Sequence, residues 1–334
     1  MLHSCDISES ILEAPAALPA ADALAADVLA GLSSRPKRLS SAWFYDERGS
    51  ELFQQITQLD EYYLTRCERE ILECYAGEIA DVLAGAPVRV IEIGAGDGHK
   101  TEILLDRLLA AGLEVEYVPI DICRQAVESL TAKLRRNLRH RPVRLRGVVA
   151  DYFDGLAAIR GQSAARNLVL FLGSSIGNFD HRQAKRLLRA LRQAISPGDL
   201  ALIGFDLKKD LHVLQRAYDD AAGITRQFNF NLLERINREL GGTFDRRRFD
   251  HRAAYNFRLG CMESWLVSRR RQRIHLGGLG RSFNFCDWEG IRVERSYKYD
   301  LAQIESLARR GGFDPCAHLA DRRRWFVDSL WEAV

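Results

Sequence analysis

An α/β fold, a mostly parallel sheet with helices on both faces, is predicted by three features of the sequence. Five strand-like runs (88–93, 115–120, 143–150, 168–173 and 201–207) alternate with helical segments. Such alternation supplies the crossovers that parallel strands need. The first of these runs, VRVIEI, is a short β-branched run. A glycine-rich turn, GAGDGHKT from Gly94, follows the first run at once, where strand would turn into helix. A length of 334 residues leaves room for a second domain.

In chain order, residues 1–15 read as a loosely held leader, and the alanine-rich stretch 20–32 as a helix ending near Ser33, Ser34 and Pro36. The aromatic loop SAWFYDERGS (41–50) leads through Gly49-Ser50-Glu51 into a short helix over 52–59. Thr65 is placed to cap a helix over 66–83 whose Leu72, Ile79 and Leu83 share one side; Gly85-Ala86-Pro87 stops it. Between the five strands come LLDRLLAAG, a helix over 124–138, a helical or loop stretch before 168, and a helix over 182–195.

Beyond 207 the alternation ends. Residues 208–250 read as helical, chiefly LHVLQRAYDDAAG and FNLLERINREL. Residues 251–298 read as antiparallel, with CMESWLVSRRRQRIHL and EGIRVERSYKY set apart by Gly277-Gly278-Leu279-Gly280. Asp300 is placed to cap LAQIESLARRGG, and the remaining residues supply closing strands for the first sheet. The expected domains are therefore 67–207 plus 299–334, and 15–66 plus 208–298.

Composition removes several classes. Lys plus Arg number 48 against 45 Asp plus Glu, an excess too small to argue for nucleic acid. The arginine runs at 246–248 and 269–273 read as solvated faces. No apolar run reaches the ~18 residues of a membrane span, and the first residues lack the basic segment of a secretory signal. Seven cysteines form no CxxC pair, and their odd number forbids full pairing, which points to a reducing, cytoplasmic compartment. The eight histidines form no HxH or HExxH box, so no metal is expected.

The glycine loop narrows the cofactor. A dinucleotide fingerprint GxGxxG would end in glycine at 99, where this chain has His99; the pattern is Glu92, then Gly94, Gly96 and Gly98. That weighs against a pyrophosphate. Asp121 ends the second strand, 27 residues after Gly94, where a carboxylate accepts from ribose hydroxyls. Asp151 ends the third strand beside Tyr152, within reach of an adenine amine. Two strand-end acids beside such a loop favour S-adenosylmethionine. No GxxxxGK[ST] or GxSxG is present to suggest an ATPase or a hydrolase.

Four blocks go further: WFYDERGSELFQQITQLDEYYLTRCEREIL (43–72), FLGSSIGNFD (171–180), RAYDDAAGITRQFNFNLLERINREL (216–240) and VERSYKY (293–299). Together they resemble the histidine-specific Nα-methyltransferases of ergothioneine biosynthesis, over nearly the whole chain. The resemblance implies a Rossmann-like S-adenosylmethionine-dependent methyltransferase domain with a second α+β substrate-binding domain, and a monomer. It implies three methyl transfers to L-histidine, giving hercynine. It places Tyr45 near the substrate amine and cofactor, and Tyr62 at the imidazole through water. Asn178 and Tyr218 would hold the carboxylate and amine end, with Tyr45 and Asn178 as the catalytic pair. Glu294 and Ser296 would bind the imidazole. Gly94, Lys100, Asp121, Asp151 and Tyr152 match the family's cofactor residues.

One departure bears on substrate choice. MESWL (262–266) carries Ser264 where a well-known form of the motif has methionine, which suggests a wider or wetter side-chain pocket. The rival reading keeps fold and cofactor but takes another amino acid or aromatic amine, such as tryptophan. A noncatalytic cofactor-binding protein is the rival of another class. A nucleic-acid methyltransferase would carry a D/N-PP-Y/F motif, which is absent. Taken singly, each residue also has a plain structural role. Glu294 would be a strand acid paired with Arg292 or Arg295, and Tyr45, Tyr62 and Tyr218 would be packing residues. Lys100 would be a solvated helix residue and Asn178 a turn residue. Glu294 and Ser296, two apart on a strand, share a face.

Overall fold

The computed structural model describes residues 9–13, 20–139, 141–161 and 165–334. The chain opens with β1 (Glu9–Glu13), α1 (Ala20–Ser33), β2 (Lys37–Arg38), α2 (Glu47–Thr57) and α3 (Leu64–Leu83). Strand and helix then alternate through β3 (Val88–Ile93), α4 (His99–Ala110), β4 (Val115–Asp121), α5 (Arg124–Asn137) and β5 (Val143–Val149). They continue through α6 (Tyr152–Ile159), β6 (Arg166–Phe171), α7 (His181–Ala194) and β7 (Leu200–Asp206). Next come α8 (Leu211–Tyr218), α9 (Ile224–Leu240), β8 (Phe249–Asn256), β9 (Cys261–Ser268), β10 (Gln272–Leu276), β11 (Arg281–Phe285) and β12 (Gly290–Tyr297). The last elements are α10 (Leu301–Gly311), β13 (Phe313–Ala320) and β14 (Phe326–Ala333).

Contacts divide the chain into two compact units: Met1–Pro15, Leu64–Leu207 and Tyr299–Val334, and Ala16–Tyr63 with Lys208–Lys298. The boundary expected at 66/67 falls at 63/64, where α3 begins with Leu64.

The first unit is built on an eight-stranded sheet in the order β1-β5-β4-β3-β6-β7-β14-β13. Strands β3 to β7 are parallel, and β14 runs antiparallel beside β7. Every residue of β3 and β7 is buried, the charged Arg89, Glu92 and Asp206 included, as central strands covered on both faces are. Strand order proceeds from β3 to β4 and β5 on one side and to β6 and β7 on the other. The carboxyl ends of β3 and β6 therefore form a topological switch point, where α/β sheets bind ligands.

The expected leader is corrected in part. Residues 9–13 form an edge strand parallel to β5, with Glu9 opposite Leu145 and Ile11 opposite Gly147. Pairing satisfies the open edge of β5 and covers it; residues 1–8 and 14–15 lie outside the described residues.

The second unit contains a four-stranded sheet, β2-β12-β9-β8, and a separate hairpin, β10-β11. Its core joins Leu24, Val28 and Leu32 of α1, Leu52 and Ile56 of α2, and Phe228, Leu232 and Ile236 of α9 to Leu266, Ile291 and Val293 of the sheet. Two expectations change here. The run CMESWLVSRRRQRIHL is two strands in two sheets, broken at the exposed Arg269, Arg270 and Arg271, because successive arginines cannot alternate into a core. The glycine turn joins β10 to β11. Helix α2 starts at Glu47 rather than 52, with the Asp46 carboxylate accepting from the Gly49 amide at 2.8 Å. Gly49 thus lies in the first turn, where a Cβ would stand 1.7 Å from the Phe44 carbonyl oxygen. Among the described residues no helix is long and apolar enough to cross a membrane.

Candidate active site

In the first unit the predicted cofactor residues gather at the carboxyl ends of β3, β4 and β5. Gly94, Gly96 and Gly98 all have φ between 55° and 74°, which glycine adopts without strain. A Cβ on Gly98 would meet Leu130 at 2.3 Å, while Gly96 faces open space. Asp121 Oδ2 accepts from the Gly96 amide at 3.1 Å and Oδ1 from the Cys123 amide at 2.9 Å. Burial raises the Asp121 pKa, and these backbone hydrogen bonds oppose the rise. Asp151 is the N-cap of α6: its Oδ1 accepts from the Phe153 and Asp154 amides, and Oδ2 takes no hydrogen bond among the described residues. The Tyr152 ring packs edge-on to Phe171 at 5.5 Å and beside Phe179 at 5.9 Å. A Cβ on Gly94 would approach the Tyr152 hydroxyl to 3.3 Å.

Glycine backbone, strand-end acceptors and an aromatic face fit an adenosyl group, with Asp121 for ribose and Asp151 and Tyr152 for adenine. A cation for a carboxylate is also present, in a more elaborate setting than a solvated lysine. Lys100 forms an ion pair with Glu68, whose other oxygen accepts from the Gly173 amide at 2.6 Å. Burial opposes the charge on Lys100, but Glu68, helped by Glu92 and Asp328, outweighs it and the ammonium pKa is raised. Burial and the Glu68 charge push Asp328 far above the usual carboxylate range.

Glu92, just below the loop, accepts from Thr101 Oγ1 at 2.6 Å and from the Tyr117 hydroxyl. Burial outweighs these hydrogen bonds and the Lys100 charge, and its carboxyl is pushed up to about 7 from 4.5. The folded state therefore holds this proton more tightly than the unfolded chain. The stabilisation by the neutral acid is full below pH 4.5 and declines up to about pH 7, by ~3 kcal/mol. Glu92→Gln should flatten the fall in melting temperature between pH 5 and 7.5; a slope equal to wild type would remove Glu92 as its source.

Asn178 ends the short 3-10 turn Ser175–Asn178 that follows β6. It is exposed and makes no side-chain hydrogen bond among the described residues. The turn is entered through Gly173 and Ser174, both at positive φ, with the Ser174 hydroxyl accepting from the Asp206 amide at 3.0 Å.

In the second unit, β12, the neighbouring β9 and the end of α8 bring four predicted residues together. Glu294 pairs across the ladder with Ser264, next to a bulge between Arg292 and Glu294 that re-aims the strand. Ser264 is fully buried and donates to Glu294 Oε2 at 2.8 Å. The serine thus braces the carboxylate. Among the described residues Glu294 forms no ion pair with Arg292 or Arg295, and Arg295 pairs instead with Glu263 at 2.8 Å. Burial raises the Glu294 pKa, opposed by the Ser264 hydrogen bond and the Lys298 charge. The Tyr218 hydroxyl, at the end of α8, donates to Ser296 Oγ at 2.8 Å.

Tyr45 and Tyr62 lie in an aromatic cluster of the same unit. Phe53 meets the Tyr45 ring edge-on at 5.5 Å and the Tyr62 ring at 6.1 Å, and Tyr45 also meets Phe228 at 5.7 Å. Tyr45 is 37 % exposed, so its packing leaves part of the ring open.

Three residues escaped the sequence reading. Lys298 donates to Tyr218 at 2.8 Å and to Ser296 at 2.9 Å; the signal was Glu294, Ser296 and Lys298 at alternate positions. Glu68 lies four residues before Leu72, an acid on the apolar stripe of α3. Asp328 gave no signal beyond being an acid in an apolar strand.

Comparison with known proteins identifies the family. The family model described as "Histidine-specific methyltransferase, SAM-dependent" matches residues 24–333. A histidine N-alpha-methyltransferase of Mycobacterium tuberculosis is 38% identical over 307 residues, 92% of this chain and 91% of that protein. A second, of Mycolicibacterium smegmatis, is 39% identical over 284 residues, covering 85% and 87%. A 4-dimethylallyltryptophan N-methyltransferase of Claviceps purpurea is 28% identical over 313 residues, covering 88% and 90%. The chain belongs to the S-adenosylmethionine-dependent, histidine-specific methyltransferase family.

Proposed function

We propose that this chain methylates the α-amine of L-histidine three times, giving Nα,Nα,Nα-trimethyl-L-histidine (hercynine). The observation that carries the reading is the Glu294 carboxylate held on Ser264, with Ser296 on the same strand. An imidazole offers an N–H to the acid and a second nitrogen to the hydroxyl, whereas an apolar side chain would leave both groups desolvated and unpaired.

Bound S-adenosylmethionine supplies a methyl group on a cationic sulfur, which a nitrogen lone pair displaces in line to leave a neutral thioether. The chain's own part is orientation and proton handling. Asp121, Asp151 and Tyr152 would hold the nucleoside, Lys100 the carboxylate, and the Gly94 loop the close approach of backbone. Tyr62 would reach the imidazole through water, and Tyr218 would hold the amino-acid end of the substrate. Tyr45 and Asn178 would hold the amine through neutral polar groups. An α-ammonium has no lone pair, so the amine must react deprotonated; a phenol orients or relays such a proton rather than keeping it at neutral pH. Aromatic faces such as Tyr45 also tolerate the growing trimethylammonium. Cys67, Cys74, Cys123, Cys261, Cys286 and Cys316 are in no disulfide, and a reducing cytoplasm is the compartment that suits such a set.

Purified protein, S-adenosylmethionine and each of the twenty amino acids, assayed separately for S-adenosylhomocysteine release, test this reading. Histidine should exceed every other amino acid in kcat/KM by ~100-fold or more. Preference for tryptophan or another amino acid would overturn the substrate. Cofactor binding without turnover of any would overturn the activity.

A further inference from the structure

We infer that Lys298 is a positioning residue that fixes the hydrogen-bonding polarity of the Glu294–Ser296 pair, so that Ser296 donates and Glu294 accepts. The pair then selects a ring carrying one N–H and one unprotonated nitrogen. This rests on the proposed histidine site and specifies how that site reads its substrate.

The geometry carries the polarity. Lys298 is 2 % exposed, and its backbone amide donates to the Gly260 carbonyl at 2.9 Å. Its Nζ donates to the Tyr218 hydroxyl at 2.8 Å and to Ser296 Oγ at 2.9 Å. An ammonium has hydrogens and no acceptor, so both oxygens must accept from it. Tyr218 donates in turn to Ser296 at 2.8 Å, the direction expected because a phenol is a far stronger acid than an aliphatic alcohol. Ser296 Oγ has two lone pairs, and Lys298 and Tyr218 occupy both. Its own proton has no acceptor among the described residues and remains for a ligand.

Glu294 is set the opposite way. Ser264 donates to Oε2 at 2.8 Å, while Oε1 takes no hydrogen bond among the described residues and, as a carboxylate oxygen, only accepts. Ser296 and Glu294 lie on the same side of β12, two residues apart. A donor and an acceptor so placed match a neutral imidazole and mismatch thiophene, which offers neither group. Without Lys298 the serine would regain a lone pair, and its proton could turn to Tyr218.

The test is the affinity, by calorimetry, of wild type and Lys298→Met for L-histidine, the two thiazolylalanine regioisomers and thienylalanine. Thiazole keeps an unprotonated nitrogen and lacks the N–H, so thiazole over thiophene isolates the donation by Ser296. Wild type should prefer one thiazole regioisomer to thienylalanine by ~10-fold. In Lys298→Met that ratio should fall below about twofold, while S-adenosylhomocysteine affinity stays within twofold. Loss of packing alone would weaken all four ligands together and leave the ratio intact, which overturns the inference. If Lys298→Met does not fold, Ser296→Ala must abolish the same ratio, and retention there overturns it. Wild type that binds none of the four would overturn the histidine site itself, a result distinct from an unchanged ratio.

Discussion

Glu294→Ala is expected to raise the dissociation constant for L-histidine by ~100-fold while leaving S-adenosylmethionine affinity within twofold. A hydrogen bond to a charged group contributes ~1.5–3 kcal/mol, so losing the carboxylate alone accounts for a change of that order. The variant also strands the buried Ser264 hydroxyl, which now donates to Glu294 at 2.8 Å. Glu294→Gln is the sharper companion, since it keeps the shape and removes the charge; it should cost about tenfold. Cofactor affinity is the control because every proposed cofactor residue belongs to the other unit. Unchanged histidine affinity by calorimetry would remove Glu294 from the substrate site.

Asp121→Ala is expected to lower S-adenosylmethionine affinity by at least ~30-fold through two losses. The carboxylate proposed for the ribose hydroxyls disappears. So does the acceptor that fixes the Gly96 amide at 3.1 Å and the Cys123 amide at 2.9 Å, freeing a loop whose glycines all have positive φ. Asp121→Asn separates the two, since its amide oxygen still accepts one backbone hydrogen bond, and it should retain more affinity than alanine. Equal cofactor affinity in wild type and Asp121→Ala would place the ribose elsewhere.

The first unit was legible because its signal is local. Short strand-like runs such as 88–93 and 201–207, alternating with helical segments, read as central strands, and their spacing calls for crossovers. The edge strand 9–13 was missed because a short segment such as ESILE has no periodicity to read until β5 offers an edge. The split of 261–276 into two sheets was hidden for a related reason. Both halves read as strands, and only the exposed arginines between them mark a change of partner. Asp46 as a cap was obscured by Gly49, which reads as a turn until the Phe44 carbonyl shows why no side chain fits there.

At the site, the strand-end acids and the glycine loop were readable from chemistry and spacing, whereas Glu294 and Ser296 came from resemblance. What the sequence could not show is mutual bracing. Ser264 reads as a small residue in a pocket until the ladder sets it opposite Glu294. Lys100 reads as solvated until Glu68, thirty-two residues earlier, is found beneath it. Such pairs depend on register and helix docking, which one sequence does not encode locally.

The most direct test of the central claim is the mass of the product formed from L-histidine and S-adenosylmethionine bearing trideuterated methyl groups. Three labelled methyls, placed by tandem fragmentation on the α-nitrogen and none on the ring, are the predicted result. Label on an imidazole nitrogen, or histidine recovered unlabelled while the protein turns over another amine, would contradict it.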